Sequence, residues 1–538
     1  ELTENIQRDL NLAASADARG VAEVSSASLE AYRLYTSALE AHRNLRLADA
    51  RDLYLEAVQA DPSFASAYYQ LAGVSFILRD SASAEKYRQK TDELKDHLPE
   101  RLKLLFEARE EEDRQKQAAI LEELISRYPD EEEAYFFLAR SYDGLGETGK
   151  ALEAGKRGVE ALPKSGSMRN NYGYALLARG RYVEALRELE TYASLEPSEP
   201  NPHDSLAEAY LITGQPEKAL KGYARSLEVD PTFWPSHHGR AWAYAMLGRY
   251  PEAWGEVKKA QDILVQANIP LTNSYALESM LLSRMGRYRA AEQTIQRAIR
   301  VTEETDNRFL RGVFEFFLMD FLIERGEYAA AISRVDRAEK VAEAIPDQQF
   351  PDPQLRWDFK LFLQGEAAIA EVRADRLAAA KARLESMKKL PASQQGKEVV
   401  RMVEGEVALA EGDLAAAETI FTPLEPDLKA DFSMNDPILS FGANRALNRD
   451  RLARVKKARG DLRGAIDGYR KLLTPDIGSK WVAPLEPLFV LELARLLAEA
   501  GDTEAAKAEY VRFLELWQEA DSGLPALRAA KAEYAKLQ

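Results

Sequence analysis

Glycines fall at Gly146, Gly180, Gly214 and Gly248, each 34 residues after the last, and this interval constrains the chain more than any other feature. Prolines keep the same step at Pro129, Pro163, Pro197 and Pro231, and alanines at Ala151, Ala185, Ala219 and Ala253. Three residue types on one period mean that one structural unit is repeated, each copy drawing its core from its neighbours. The glycine is expected just after a first helix, where the left-handed conformation that ends a helix costs glycine least. The alanine is expected early in a second helix, where a small side chain lets the two helices approach. The proline closes the second helix, because it cannot continue the hydrogen-bond ladder.

Single units carry more of a pattern. One has Tyr135, Leu138, Ala139, Tyr142, Ala151 and Pro163; another has His203, Leu206, Ala207, Tyr210, Ala219, Tyr223 and Pro231. In period and residue order these resemble the tetratricopeptide repeat (TPR), a helix–turn–helix unit. The first units match less fully, with Ala50, Tyr54, Ala57 and Pro62 in place but no turn glycine. Beyond residue 265 the pitch lengthens to about 37–50 residues. Turn glycines continue at Gly286, Gly326, Gly412, Gly460 and Gly501, with alanines at Ala291, Ala331, Ala417, Ala465 and Ala506 and a unit without glycine around Ala380. Gly-Arg-Tyr recurs at 180–182, 248–250 and 286–288, which supports internal duplication.

The expected fold is all-α: a TPR superhelical solenoid of about thirteen helix pairs with a C-terminal capping helix over roughly Leu524–Leu537. The expected organisation is a connecting segment (1–29), a regular array (30–265), a longer-pitch array (266–523) and the cap (524–538). Three connections rich in Pro, Asp and Gly interrupt the second half: Ile345–Gln354, Thr422–Gly442 and Thr474–Pro487. Loops of that size carry function or are mobile.

Composition narrows the function classes. The net charge is −16, against nucleic acid, whose phosphates need a basic footprint, and against an anionic membrane surface. There are no cysteines, which excludes disulfides, thiolate zinc sites and thiol nucleophiles. The most apolar stretch, Gly312–Phe321, is broken by Glu315 and Asp320, so direct membrane insertion is not expected. The chain begins at Glu1, and an upstream targeting segment or domain is the expectation.

Several motifs mimic chemistry. Gly144–Lys150 has phosphate-loop spacing, but Ala151 follows where Ser or Thr should hold magnesium, and the segment coincides with a repeat turn. His42-Arg43-Asn44 lacks the aspartate of a kinase catalytic loop, and neither a glycine-rich kinase loop nor Asp-Phe-Gly occurs. His203, His237 and His238 with Asp204 could in principle hold a metal; a packed histidine with one nitrogen paired to backbone is the stronger reading. Glu110–Glu112 and Glu131–Glu133 suggest carboxylate chemistry, but neighbours on a helix point apart, and a solvated helix start near a positive dipole end suits the second cluster. No catalytic residue, metal site or cofactor is expected.

The array itself is the functional feature. First helices line the inner surface of a TPR superhelix, and such curved surfaces bind partners. The 34-residue register places Phe136 and Arg140, then Asn170, Asn171 and Tyr174, then Asp204 and Glu208, then His238 and Trp242 on that surface. Aromatics supply contact area, amides hydrogen-bond an extended backbone, and charges set register, so a protein or peptide ligand in the concave groove is the expected partner. The alternative is a structural scaffold that self-associates through loops of the C-terminal half.

Three stretches are more specific: Ser28–Tyr35 with Ala57–Ala65, Asp96–Arg101, and Phe513–Asp521 with Leu524-Pro525. Together they resemble the TPR region that follows the kinase domain in many bacterial serine/threonine protein kinases. A similar region follows the winged-helix domain in some membrane-bound bacterial transcriptional regulators. The resemblance implies a non-enzymatic sensor or scaffold half of a bacterial signalling protein, tethered through its N-terminus. It also implies a place on the extracytoplasmic side of a membrane, with Glu1–Leu12 as the tail of the connecting segment.

Overall fold

The computed structural model describes residues 26, 28–44, 46–78, 80–267, 269–346, 355–424, 449–475 and 485–538. Among them lie twenty-seven α-helices and no strand. The first pairs are α1 (Leu29–Arg43) with α2 (Leu47–Ala60), α3 (Ala65–Ile77) with α4 (Ser81–Glu93), α5 (Glu100–Glu110) with α6 (Arg114–Arg127), α7 (Glu132–Gly144) with α8 (Thr148–Ala161), and α9 (Gly166–Ala178) with α10 (Tyr182–Leu195). Next come α11 (Pro200–Ile212) with α12 (Pro216–Val229), α13 (Trp234–Met246) with α14 (Tyr250–Gln266), α15 (Thr272–Arg284) with α16 (Tyr288–Glu304), and α17 (Arg308–Glu324) with α18 (Tyr328–Glu343). Then follow α19 (Leu355–Arg373) with α20 (Leu377–Met387), α21 (Gln394–Ala410) with α22 (Leu414–Phe421), α23 (Arg451–Ala458) with α24 (Leu462–Leu473), and α25 (Pro487–Glu499) with α26 (Thr503–Leu516), before a last helix, α27 (Pro525–Ala535).

The sequence landmarks do the expected jobs. All nine turn glycines have φ between 69° and 82°. Each closes its first helix with a pair of backbone bonds: Gly146 N–H reaches Asp143 C=O at 2.9 Å, and Glu147 N–H reaches Tyr142 C=O at 2.8 Å. This double bond pattern satisfies two carbonyls the helix end would leave unpaired, and it needs a left-handed residue. In the unit without glycine, Asp375 takes the position at φ 59°, and Arg376 N–H still reaches Glu371 C=O at 2.8 Å. Aspartate tolerates this conformation better than most residues. The repeat alanines, from Ala151 to Ala506, are all buried. The prolines stand two residues beyond α6, α8, α10 and α12. The pitch lengthens at α14 because that second helix runs 17 residues, where α8, α10 and α12 run 14.

Two compact units make up the chain. The first holds residues up to Leu206 with 225–231 and 266–269; the second holds Ala207–Ala224, Thr232–Val265 and Pro270–Gln538. In the first unit, first helices are buried on one side. Helix α7 buries only Ala134, Tyr135, Leu138 and Ser141.

The second unit is built differently, because its late helices pack back onto its early turns. Leu485 N–H donates to Ala245 C=O at 3.0 Å, and the Tyr250 hydroxyl donates to Leu485 C=O. The Trp517 indole N–H donates to Arg284 C=O at 2.9 Å, and Asp521 N–H to Gly286 C=O at 3.0 Å. The Asp521 carboxylate accepts from Arg289 N–H at 3.0 Å, and Arg284 bridges Glu324 at 2.7 Å and Glu486 at 2.9 Å. The first helices α13, α15 and α17 are buried on nearly every side. Helix α17 buries every residue from Gly312 to Phe321, including Glu315, which pairs with Arg334 at 3.1 Å and Arg337 at 3.2 Å. A charge so placed is tolerable only when paired.

No helix among the described residues is long and apolar enough to cross a membrane. The expected connections Ile345–Gln354, Thr422–Gly442 and Thr474–Pro487 lie largely outside the described residues, and so does Glu1–Leu12. Helix α27 packs Leu527 and Ala530 inward and ties Glu533 to Arg495 at 2.9 Å and to the Tyr510 hydroxyl at 3.0 Å.

The packing separates two turn glycines experimentally. A Cβ on Gly412 meets nothing within 4 Å, whereas one on Gly286 meets Ala520 Cβ at 2.6 Å and Trp517 at 3.0 Å. Gly412→Ala should cost roughly 1–2 kcal/mol for the left-handed backbone alone. Gly286→Ala should cost about 1–3 kcal/mol more through overpacking. Denaturant unfolding of the two variants checks this, and equal losses would remove the distinction.

Candidate functional site

In the first unit the exposed register residues gather around cations and rings. Phe136 is 36% exposed, and the Arg140 guanidinium lies over its ring at 5.7 Å. One turn of helix separates the two, so α7 presents them as a pair. Burial, then the like charges of Arg114 and Arg109, lower the proton affinity of Arg140. Arg140 and Arg114 have no carboxylate partner among the described residues; Arg114 donates to the Gln117 amide oxygen at 2.8 Å and lies beside Gly144. Arg109 is held differently. It stacks on Tyr69 at 5.2 Å and Phe137 at 5.1 Å, donates to the Tyr69 hydroxyl at 2.9 Å, and that hydroxyl donates to Glu133 at 3.1 Å.

Helix α9 places Asn170, Asn171 and Tyr174 half-buried on its side away from Met168, Tyr172 and Leu176. The Asn170 side-chain oxygen is buried and accepts no hydrogen bond. Such an acceptor is costly unless something supplies a donor. The face can therefore stack aromatic or aliphatic groups, take carboxylates, and bond amides.

The remaining register residues are placed elsewhere. Asp204, Glu208, His238 and Trp242 are buried rather than exposed. The physical reason is visible at α13, where Pro235–Gly239, Ala241–Ala243, Ala245 and Met246 are buried on all sides. The His238 Nε2 meets the Ser274 hydroxyl of α15 at 3.1 Å, and its ring lies 5.3 Å from Trp234. Burial, then the charge of His237, push His238 down to about 3, so it is neutral at ordinary pH.

The two other histidines of the suspected metal group are also engaged. His203 Nε2 pairs with Pro197 C=O at 3.0 Å, and His237 Nδ1 with Glu256 at 2.6 Å. Among the described residues no three His, Asp or Glu come together as a metal site. Sequence reasoning missed Arg109, Arg114, Tyr69 and Phe137, because their part in the face depends on neighbouring repeats. It also misread the acidic helix start. Glu131 and Glu133 are half-buried rather than solvated, Glu133 accepting from the Tyr69 hydroxyl at 3.1 Å and Glu131 beside Arg101 at 3.3 Å.

Models of the tetratricopeptide repeat match residues 83–234, residues 272–305, and residues 234–253 together with 487–512. The fold is a tetratricopeptide-repeat solenoid. Among solved structures, a crystal structure of MamA is 20% identical over 30% of this chain and 95% of that one, with a TM-score of 0.27. A crystal structure of PilW, described as a widely conserved type IV pilus biogenesis factor, is 22% identical over 37% and 90%, with a TM-score of 0.32. No curated protein matches the chain. The TPR array is a protein-interaction scaffold, and the fold is typically non-enzymatic.

Burial, then the Glu133 carboxylate, raise Glu131 to about 7. The folded chain keeps a proton there that the unfolded chain loses above its ordinary value of 4.5. The associated stability is full below that value and is lost as pH rises toward 7, by roughly 1–3 kcal/mol. Glu131→Gln should flatten this part of the stability profile between pH 4.5 and 7.5 in urea titrations; an unchanged slope would place the titrating group elsewhere.

Proposed function

We propose that the Phe136–Arg140 face binds an extended segment of a partner protein, with Arg140 and Arg114 taking a carboxylate. The observation that carries this reading is the exposed Phe136–Arg140 stack beside a second unpaired arginine, in a chain whose acids outnumber its bases 88 to 72. Asn170 and Asn171 supply amides to the ligand backbone, and Tyr174 adds ring area. On this reading the chain is a non-enzymatic binding module. The resemblance to bacterial kinase- and regulator-attached TPR regions favours a sensor or scaffold role in signalling, outside the cytoplasm.

The test is fluorescence anisotropy with labelled 12-residue peptides, one rich in Asp, Glu and Leu and one of matched length rich in Lys and Leu. Phe136→Ala with Arg140→Ala alters exposed side chains and should leave thermal stability within about 1 kcal/mol. It should weaken the acidic peptide about tenfold or more, the loss of one good anchor pair. Equal binding by both peptides, or no effect of the double substitution, would reject this face.

A further inference from the structure

The second unit carries an uncommitted basic cleft of its own. Helix α16 presents Arg289, Gln293 and Arg300 with the adjacent Gln296 and Arg297; Arg289–Gln293–Arg297–Arg300 and Gln293–Gln296–Arg300 step by three or four residues, which places all five along one side of the helix. Facing them are Leu318 and Leu322 of α17 and Arg334 of α18, and together these residues enclose a cleft of about 700 Å³. Four arginines therefore converge in a protein of net charge −16.

The charge balance of this cleft is unusual for the molecule. Among the described residues its only lining carboxylate is Glu292, already paired with Arg325 at 2.5 Å. Arg334 is spent on Glu315. Arg297 lies over the Tyr275 ring at 5.2 Å and reaches Glu278 only at 3.7 Å, a carboxylate already held by Lys258 at 2.5 Å and Gln261 at 2.8 Å. Arg289 and Arg300 have exposed side chains with no carboxylate partner among the described residues. Elsewhere exposed arginines are commonly neutralised within a turn, as Arg181 is by Glu184 and Arg225 by Glu228.

We propose that this cleft is a second docking surface, separate from the Phe136–Arg140 face, for an acidic segment of a partner protein. Arg289, Arg297 and Arg300 would meet its carboxylates in sequence along one helix face. Gln293 and Gln296 would bond its backbone, and half-buried Leu322 would take an apolar side chain between the acids. The glutamines and the leucine floor favour a peptide over a phosphate polymer, which would need more cations and stacking rings. The two arginines without a carboxylate partner among the described residues, Arg289 and Arg300, in an acidic protein also steer an acidic partner to one place on its surface.

The experiment uses the full chain carrying Phe136→Ala, Arg140→Ala and Arg114→Gln, so that the first-unit face loses its ring and both arginines. A labelled 15-residue peptide alternating Glu with Leu or Ala is titrated by anisotropy at 50 and 200 mM salt, with a polyuridine oligonucleotide of equal charge in parallel. Saturable peptide binding that weakens with salt is expected, reduced about tenfold or more by Arg289→Gln with Arg297→Gln and Arg300→Gln. A second variant, Gln293→Glu with Gln296→Glu, leaves every arginine in place and should weaken binding comparably by like charge. Binding unchanged in either variant overturns the assignment. So does tighter binding of the oligonucleotide, or no saturable peptide binding at low salt.

Discussion

From α7 onward, every helix pair depends on one backbone event, the left-handed residue that ends its first helix. With φ near 75° at Gly146 and its counterparts, the chain reverses in three residues and the next helix starts antiparallel to the last. The reversal puts a buried alanine of the second helix against the first, and only a small side chain permits that approach. Asp375 makes the same turn without glycine, so the requirement is the conformation, and glycine is its commonest means.

The two units use this shared element for different ends. In the first, first helices bury one side and leave the other to Phe136, Arg140, Asn170 and Asn171. In the second, the segments flanking α25 and α26 reach back to the turns after α13 and α15, and α13 is buried on nearly every side, with His238 against Ser274 of α15. A repeat position is therefore a potential contact surface in one unit and core in the other. What remains exposed in the second unit is carried by side chains such as Arg289 and Arg300 of α16.

That difference marks how far the sequence could be read. Helix pairing, turn positions and the buried alanines were all legible, because each follows from a residue's own backbone or size and recurs on a period. The register also assigned Phe136 and Arg140 to an open face. It could not distinguish Trp242 from Arg140, which occupy equivalent positions three periods apart. The burial of Trp242 comes with the enclosure of its whole helix, and the second unit's packing is fixed partly by residues such as Leu485 and Trp517, more than 230 positions beyond the turns they touch. Glu131 and Glu133 were misread for a related reason. Their cover comes from Tyr69 and Arg101 in earlier repeats, and a run of acids says nothing of that.

The back-packing of α25 and α26 has a consequence for how the molecule is made and unmade. An open solenoid behaves as a one-dimensional chain of nearest-neighbour couplings, able to nucleate anywhere and to fray from its ends. Joining Trp517 to Arg284 and Asp521 to Gly286 adds contacts of very long sequence separation, which are entropically slow to form. During synthesis the early helices of the second unit must wait for the last ones before their apolar sides are covered, which leaves them exposed to chaperones and to aggregation in the interval. Once joined, the segment between those contacts loses the freedom to unravel piecemeal and melts as a single cooperative block, while the first unit keeps the gradual, repeat-by-repeat opening of a linear array.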